Sequence, residues 1–255
     1  MKTVNKILVG SALDKLKKLD DGFIDCCITS PLYWSTKAHI KTEPQSWSSA
    51  DGGEPWIGEL GLEPTLDMYI EHLIQIFDEV RRVLKKEGSC WVVMGDSYEN
   101  KSIRMVPEQF AISMLNHNWI LRSKIIWHKS NKRLRHTIKD RFNLDWEYVF
   151  HFTKNKRYYF VQQHEQLPND DNQIKGSVWN IPLTPKAKHY MFEAFPCELI
   201  RTPILATCPK NGIVLDPFIG SGTTGVMARN LGRDFLGIEL AQVSADIALK
   251  RIKGH

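Results

Sequence analysis

The run Ile213-Val214-Leu215 reads as a buried strand, and Asp216-Pro217-Phe218-Ile219-Gly220-Ser221-Gly222-Thr223-Thr224 then turns the chain into a helical pattern that extends to Leu231. A strand that passes through glycines directly into a helix belongs in an α/β sheet, where such a turn lies at a strand's carboxyl end and lets a ligand approach the backbone. Gly220-x-Gly222-x-x-Gly225 also matches the dinucleotide fingerprint, while the Lys that a phosphate-cradling P-loop needs is absent. Asp216 at the strand end suits a cationic amino-acid group better than a pyrophosphate. Glu239, which ends the next strand, suits the two hydroxyls of a ribose. The expected ligand is therefore a nucleoside joined to a methionine, with a ligand-free glycine turn and a nicotinamide site as rivals.

The rest of the chain alternates in the same way. A strand over 6–9, a helix from Ala12 to Leu19 and a strand from Phe23 to Thr29 make a βαβ unit. Residues 35–63 are rich in Ser, Gly, Pro and Trp without periodicity and read as a long loop near the active site. Thr65 is placed to cap a helix carrying Leu66, Ile70, Leu73, Phe77, Val80 and Leu84 on one face, with Gly88 as its stop. Strands over 90–94 and 119–127 flank a helix over 107–117. Between Trp127 and Pro185 the character changes. A strand over 146–152, aromatics Tyr158-Tyr159-Phe160 expected in the sheet core, and a polar loop over 169–175 make 129–185 an embedded recognition region within one domain spanning 1–255. A helix over 198–207, a strand over 235–238 and a terminal helix complete the pattern.

Thr29-Ser30-Pro31-Leu32-Tyr33-Trp34 closes the second strand with a hydroxyl, a proline-fixed backbone and two aromatics. Ser30 Oγ and the Pro31 carbonyl can accept hydrogen bonds from an exocyclic amine, and Tyr33 can stack on a flipped base. An ordinary strand-to-loop turn is the plain alternative.

Residues 29–34 resemble the catalytic (Asp/Asn/Ser)-Pro-Pro-(Tyr/Phe) motif of amino-methylating DNA methyltransferases, and residues 216–224 resemble their Asp-Pro-Phe-x-Gly-Ser-Gly-Thr-Thr cofactor motif. The order, catalytic motif first, is that of their β class. Gly61-Leu62-Glu63-Pro64-Thr65, Gly95-Asp96-Ser97-Tyr98, Ile126-Trp127-His128-Lys129 and Phe235-Leu236-Gly237-Ile238-Glu239 extend the likeness over most of the chain. The resemblance implies a circularly permuted, Rossmann-like S-adenosylmethionine-dependent methyltransferase fold, α/β, with a mostly parallel sheet and helices on both faces. It implies Ser30, Pro31, Leu32, Tyr33 and Trp34 as the catalytic motif. Cofactor contacts are implied at Asp216, Pro217, Phe218, Gly220, Ser221, Gly222, Thr223, Thr224, Glu239, Leu240, Gly10, Ser11 and Thr29, and no metal is implied. Within that family the Ser-Pro form followed by Trp goes mainly with cytosine N4, the Asp-Pro form mainly with adenine N6; the former is the expected target and the latter the alternative. Leu32 stands where the family has a second proline, which loosens the cup and keeps a catalytically weakened DNA-binding scaffold as a further alternative. Ser11 stands where the family often has Asp. Cys197, after Phe195-Pro196, lies in the wrong place for a cytosine-C5 nucleophile and is expected to pack.

The formal net charge of +5 is modest, so distribution matters more than total. Residues 122–141 hold eight Lys or Arg against one acid. Arg122, His128, Lys129, Lys132, Arg133, Arg135, Lys139 and Arg141 are the expected contacts to duplex DNA, with a solvated basic face as the alternative. A second copy of the chain and a cognate restriction endonuclease are further candidate partners. Five cysteines without CxxC spacing read as reduced thiols of a cytoplasmic protein, and no apolar stretch approaches a membrane span.

Overall fold

Ile24–Thr29 is buried along its whole length, which demands a layer of helices on each face of the sheet it joins. In a computed structural model, which describes residues 4–34, 44–49, 52–167, 170–184 and 194–254, that sheet has eight strands. In chain order the elements are β1 (Lys6–Val9), α1 (Ala12–Leu16), β2 (Ile24–Thr29), β3 (Gln45–Trp47), β4 (Trp56–Gly58), α2 (Leu66–Val83), β5 (Leu84–Met94), β6 (Tyr98–Glu99), β7 (Ser102–Ile103), α3 (Val106–Asn116), β8 (Ile120–His128) and β9 (Trp146–Thr153). They continue with β10 (His164–Leu167), β11 (Asp170–Ile174), β12 (Val178–Asn180), α4 (Cys197–Thr207), β13 (Ile213–Asp216), α5 (Thr223–Asn230), β14 (Asp234–Glu239) and α6 (Gln242–Lys253). The sheet order is β1-β14-β13-β2-β5-β9-β8-β12. Only β9 runs against its neighbours, β5 and β8; every other pairing is parallel.

Period-two alternation sorts the core into two layers. Cys27, Cys90 and Leu215 pack with α1, α2 and α3 on one face. Cys26, Ile28, Trp91 and Val214 pack with α4, α5 and α6 on the other. The mostly parallel sheet with helices on both faces is thus as the sequence implied. The parallel strands β1, β2, β5, β8, β13 and β14 all end at one edge, and there the segments after Val9, Thr29, Met94, His128, Asp216 and Glu239 converge.

Several boundaries differ from the sequence reading. Thr65 caps α2 as expected, its Oγ1 accepting the Met68 N–H at 3.3 Å. The helix ends at Val83, however, because Leu84 turns extended and pairs with Ile24. Gly88 is therefore not a helix stop; it allows a close approach in β5, where a Cβ would lie 3.0 Å from the Asp25 carbonyl. Helix α1 ends at Leu16 rather than Leu19. Tyr158, Tyr159 and Phe160 lie outside the sheet, Phe160 50% exposed, with Tyr158 and Phe160 against the His151 ring. The polar stretch expected as a loop contributes β11 to a hairpin with β10. The 35–63 loop contains the β3–β4 hairpin; its residues 35–43 and 50–51, and residues 168–169 and 185 of the recognition region, lie outside the described residues.

Candidate active site

β13 delivers Asp216 to the carboxyl edge, where the residue is 2% exposed. Its carboxylate accepts the Thr29 and Thr224 hydroxyls, each at 2.6 Å, and the Phe218 N–H at 3.0 Å. Next to it, Glu239 accepts the Gly220 N–H at 3.2 Å and the Ala241 N–H at 3.1 Å. Burial pushes both acids up, Asp216 to about 6, against the lowering effect of these donors. Among the described residues neither acid forms an ion pair, so the buried Asp216 carboxylate and the half-buried Glu239 carboxylate face the turn without a cation of the fold's own. Gly220, at φ +48°, lies on the open side of this turn: a Cβ there would meet nothing nearer than the Phe218 carbonyl at 3.8 Å. Gly222, at φ +86°, is packed, with Ala248 Cβ 3.1 Å from where its own Cβ would be. Two acids without a cation, Glu239 bonded only to backbone N–H groups, beside an open glycine, fit a ligand that carries an ammonium and a diol.

The other residues expected around a cofactor divide into two sets. Pro217, Phe218, Thr29 and Leu240 lie at the turn or the adjoining strand ends. Gly10 is drawn in by its N–H bond to the Glu239 carbonyl at 2.9 Å. Ser221, Thr223 and Thr224 are buried and bonded internally, the first two to Arg251 at 3.0 Å and the third to Asp216. Ser11 serves as the N-cap of α1, its hydroxyl accepting the Asp14 N–H at 3.5 Å.

The Thr29–Asp216 bond ties the Ser30–Trp34 segment to the glycine turn. Pro31 is buried and Leu32 is 41% exposed. The Leu32 carbonyl accepts the Tyr69 hydroxyl at 2.6 Å, and Gly61 at φ +92° lies under the next peptide, where a Cβ would be 3.0 Å from the Tyr33 carbonyl. The segment that a second proline would stiffen is thus braced from α2, with Gly61 leaving room for its backbone. Trp34 donates from Nε1 to the Glu63 carbonyl at 3.0 Å and carries Arg104 4.2 Å above its ring. The Tyr33 hydroxyl turns to Ser30, Glu147 and the Gly95 backbone. Burial foremost, then the Glu147 carboxylate, pushes that phenol well above its ordinary range.

The basic segment leaves the same edge between β8 and β9, but its cations are not equivalent. Arg133, Arg135 and Lys139 are exposed. Lys129, expected on a phosphate, is instead buried in an ion pair with Glu147, because the β8–β9 register sets the two strand ends side by side. Lys132 donates to the Leu144 carbonyl at 2.6 Å. Arg141 stacks 3.5 Å over Tyr98. His128 bonds Asn180 at 2.8 Å, and Arg122 donates to the Tyr158 hydroxyl at 3.1 Å. Cys197 is half-buried, its thiol pushed up by burial, consistent with packing.

Three residues near the site carried no assignment from sequence. Glu63 is buried, accepts the Gly61 N–H at 2.8 Å and bonds His72 at 2.9 Å, and that imidazole is stacked between Trp47 and Trp56. Tyr69 and Glu147 complete the set. Glu63 stood within a quoted motif; Glu147 lay in an apolar strand with nothing to mark it.

Known proteins resemble this chain in sequence and in fold. A family model described as DNA methylase, of N6 and N4 type, matches residues 24–250. The type II methyltransferase M.SmaI of Serratia marcescens is 33% identical, over 97% of this chain and 90% of that protein. Among solved structures, the cytosine-N4-specific PvuII DNA methyltransferase matches with a TM-score of 0.76 at 18% identity, covering 97% of this chain and 89% of that one. An M1.HpyAVI–SAM complex matches at 0.64 and 21%, covering 97% and 98%. At these identities the two structures are likenesses of fold.

Proposed function

This chain belongs to the DNA methylase family of N6 and N4 type, and from that premise we propose that it methylates the N4 amine of cytosine in duplex DNA with S-adenosylmethionine. The observation that carries the reading is the Thr29–Asp216 bond, which holds an amine-accepting cup against a turn suited to an ammonium and a diol. When bound there, S-adenosylmethionine supplies a sulfonium methyl group by direct displacement, leaving a thioether and a proton that passes to water. Asp216 and Glu239 would hold its amino-acid and ribose ends. Ser30 Oγ and the Pro31 carbonyl accept from the target amine, and Arg133, Arg135 and Lys139 hold phosphates. The Ser-Pro form of the cup and the cytosine-N4 specificity named for the PvuII enzyme support cytosine over adenine.

Nucleoside mass spectrometry of unmethylated DNA treated with the protein and S-adenosylmethionine tests this reading. N4-methylcytosine is expected. N6-methyladenine alone would overturn the base assignment, and 5-methylcytosine would overturn the direct displacement.

A further inference from the structure

Glu147 is the second residue of β9, the strand that runs against β5 and β8, so it stands at the carboxyl edge of the parallel strands at the start of its own. Gly95 makes room for it: a Cβ there would fall 2.8 Å from Glu147 Oε1. Lys129 closes the other side with an ion pair, and the two side chains are 9% and 15% exposed for Lys129 and Glu147. Against the same carboxylate lies the Tyr33 hydroxyl, which also meets the Ser30 hydroxyl and the Gly95 backbone.

The directions of these bonds follow from what each group can give. A carboxylate only accepts and a backbone N–H only donates, while a phenol has one hydrogen and two lone pairs. The Tyr33 hydrogen therefore goes to Glu147, one lone pair takes the Gly95 N–H, and the other takes the hydrogen of Ser30. The raised phenol keeps that hydrogen in place. Ser30 Oγ is then left with lone pairs alone toward the open side. An exocyclic amine presents N–H groups, so an acceptor is what it needs there.

We propose that Glu147, fixed by Lys129, is a positioning residue that directs the chain Ser30→Tyr33→Glu147 and so keeps Ser30 Oγ an acceptor for the target amine. The proposal rests on the methyl-transfer reading above. Glu147→Gln reverses the chain. Lys129 continues to claim the side-chain oxygen, the amide NH2 faces Tyr33, Tyr33 turns its hydrogen to Ser30, and Ser30 turns its own toward the amine. Tyr33→Phe merely removes the lock and leaves Ser30 free to choose.

Single-turnover transfer of tritiated methyl from S-adenosylmethionine to amplified, unmethylated genomic DNA reads these states. Glu147→Gln should be slower by about a hundredfold and Tyr33→Phe by about tenfold, each with native cofactor affinity. The double variant should run at the rate of Tyr33→Phe, so that the second substitution rescues the first. A structural role for Glu147 gives no such rescue. Glu147→Gln no slower than Tyr33→Phe, or a double variant slower than both singles, overturns the proposal. Should Glu147→Gln fail to fold, Tyr33→Phe at the native rate overturns it and a slowed rate with unchanged KM for DNA supports it. A native protein that transfers no methyl to DNA removes the parent reading before any variant is compared.

Discussion

Asp216 places a titration on the acidic side of neutral pH. Its acid is pushed up to about 6 by burial, and only partly restrained by the two threonine hydroxyls and the Phe218 N–H that favour its ionised form. Between the ordinary value near 4 and about 6, the folded state holds a proton that the unfolded state has released. Stability therefore falls as pH rises through that window, by on the order of 3 kcal/mol in all, and is flat above it. Asp216→Asn should lack this slope, so chemical denaturation across that range should show the variant gaining on the native protein as pH rises. A bound ammonium has the opposite preference and favours the carboxylate. S-adenosylmethionine affinity should then be full above pH 6 and fall by about tenfold per unit below it, with calorimetry in buffers of different ionisation heat detecting the released proton. An affinity that is flat from pH 5 to 8 would confine Asp216 to holding the turn together.

The elements differ in what the glycines of that turn do. Gly220 and Gly222 both adopt left-handed backbone, so alanine at either costs about 1–2 kcal/mol of local strain. Gly222 also packs against Ala248 of α6, whose Cβ, Cα and carbonyl crowd the missing Cβ, whereas Gly220 borders open space. Gly222→Ala should therefore lose clearly more stability in thermal unfolding, and Gly220→Ala proportionally more cofactor affinity in calorimetry; equal effects on both measures would remove the distinction. The strand, turn and helix around these residues were legible because each is a local pattern: an apolar run, glycines, then helical spacing. The end of α2 was not. Leu84 completes the helical stripe as well as it begins a strand, and pairing with Ile24, sixty residues earlier, decides between them. The β10–β11 hairpin lies in a polar stretch without alternation, and Glu147 gains its place from the register of β9 on β5 and β8, which no local pattern encodes.

At the scale of the whole molecule, the permuted strand order sets the first strand beside the last, β1 on β14, and gathers the cup, the glycine turn and the basic segment on one edge. That convergence sets charge on a loop of the antiparallel part of the sheet beside the strand ends of the parallel part. It also divides the basic segment by surroundings. Lys129 stands at the strand end, within the ordered edge, and is held by Glu147; Arg133, Arg135 and Lys139 stand clear of it and exposed. Replacing Arg133, Arg135 and Lys139 together by alanine should weaken binding to any DNA and flatten the log–log salt dependence by about 0.9 for each phosphate that is no longer neutralised. Lys129→Met should leave that slope nearly intact and lower the melting temperature instead, because removing one partner strands a largely buried charge at a cost of about 3 kcal/mol. A flattened slope for Lys129→Met, or an unchanged slope for the triple variant, would mean that the exposed cations are a solvated face and that DNA is held elsewhere on this edge.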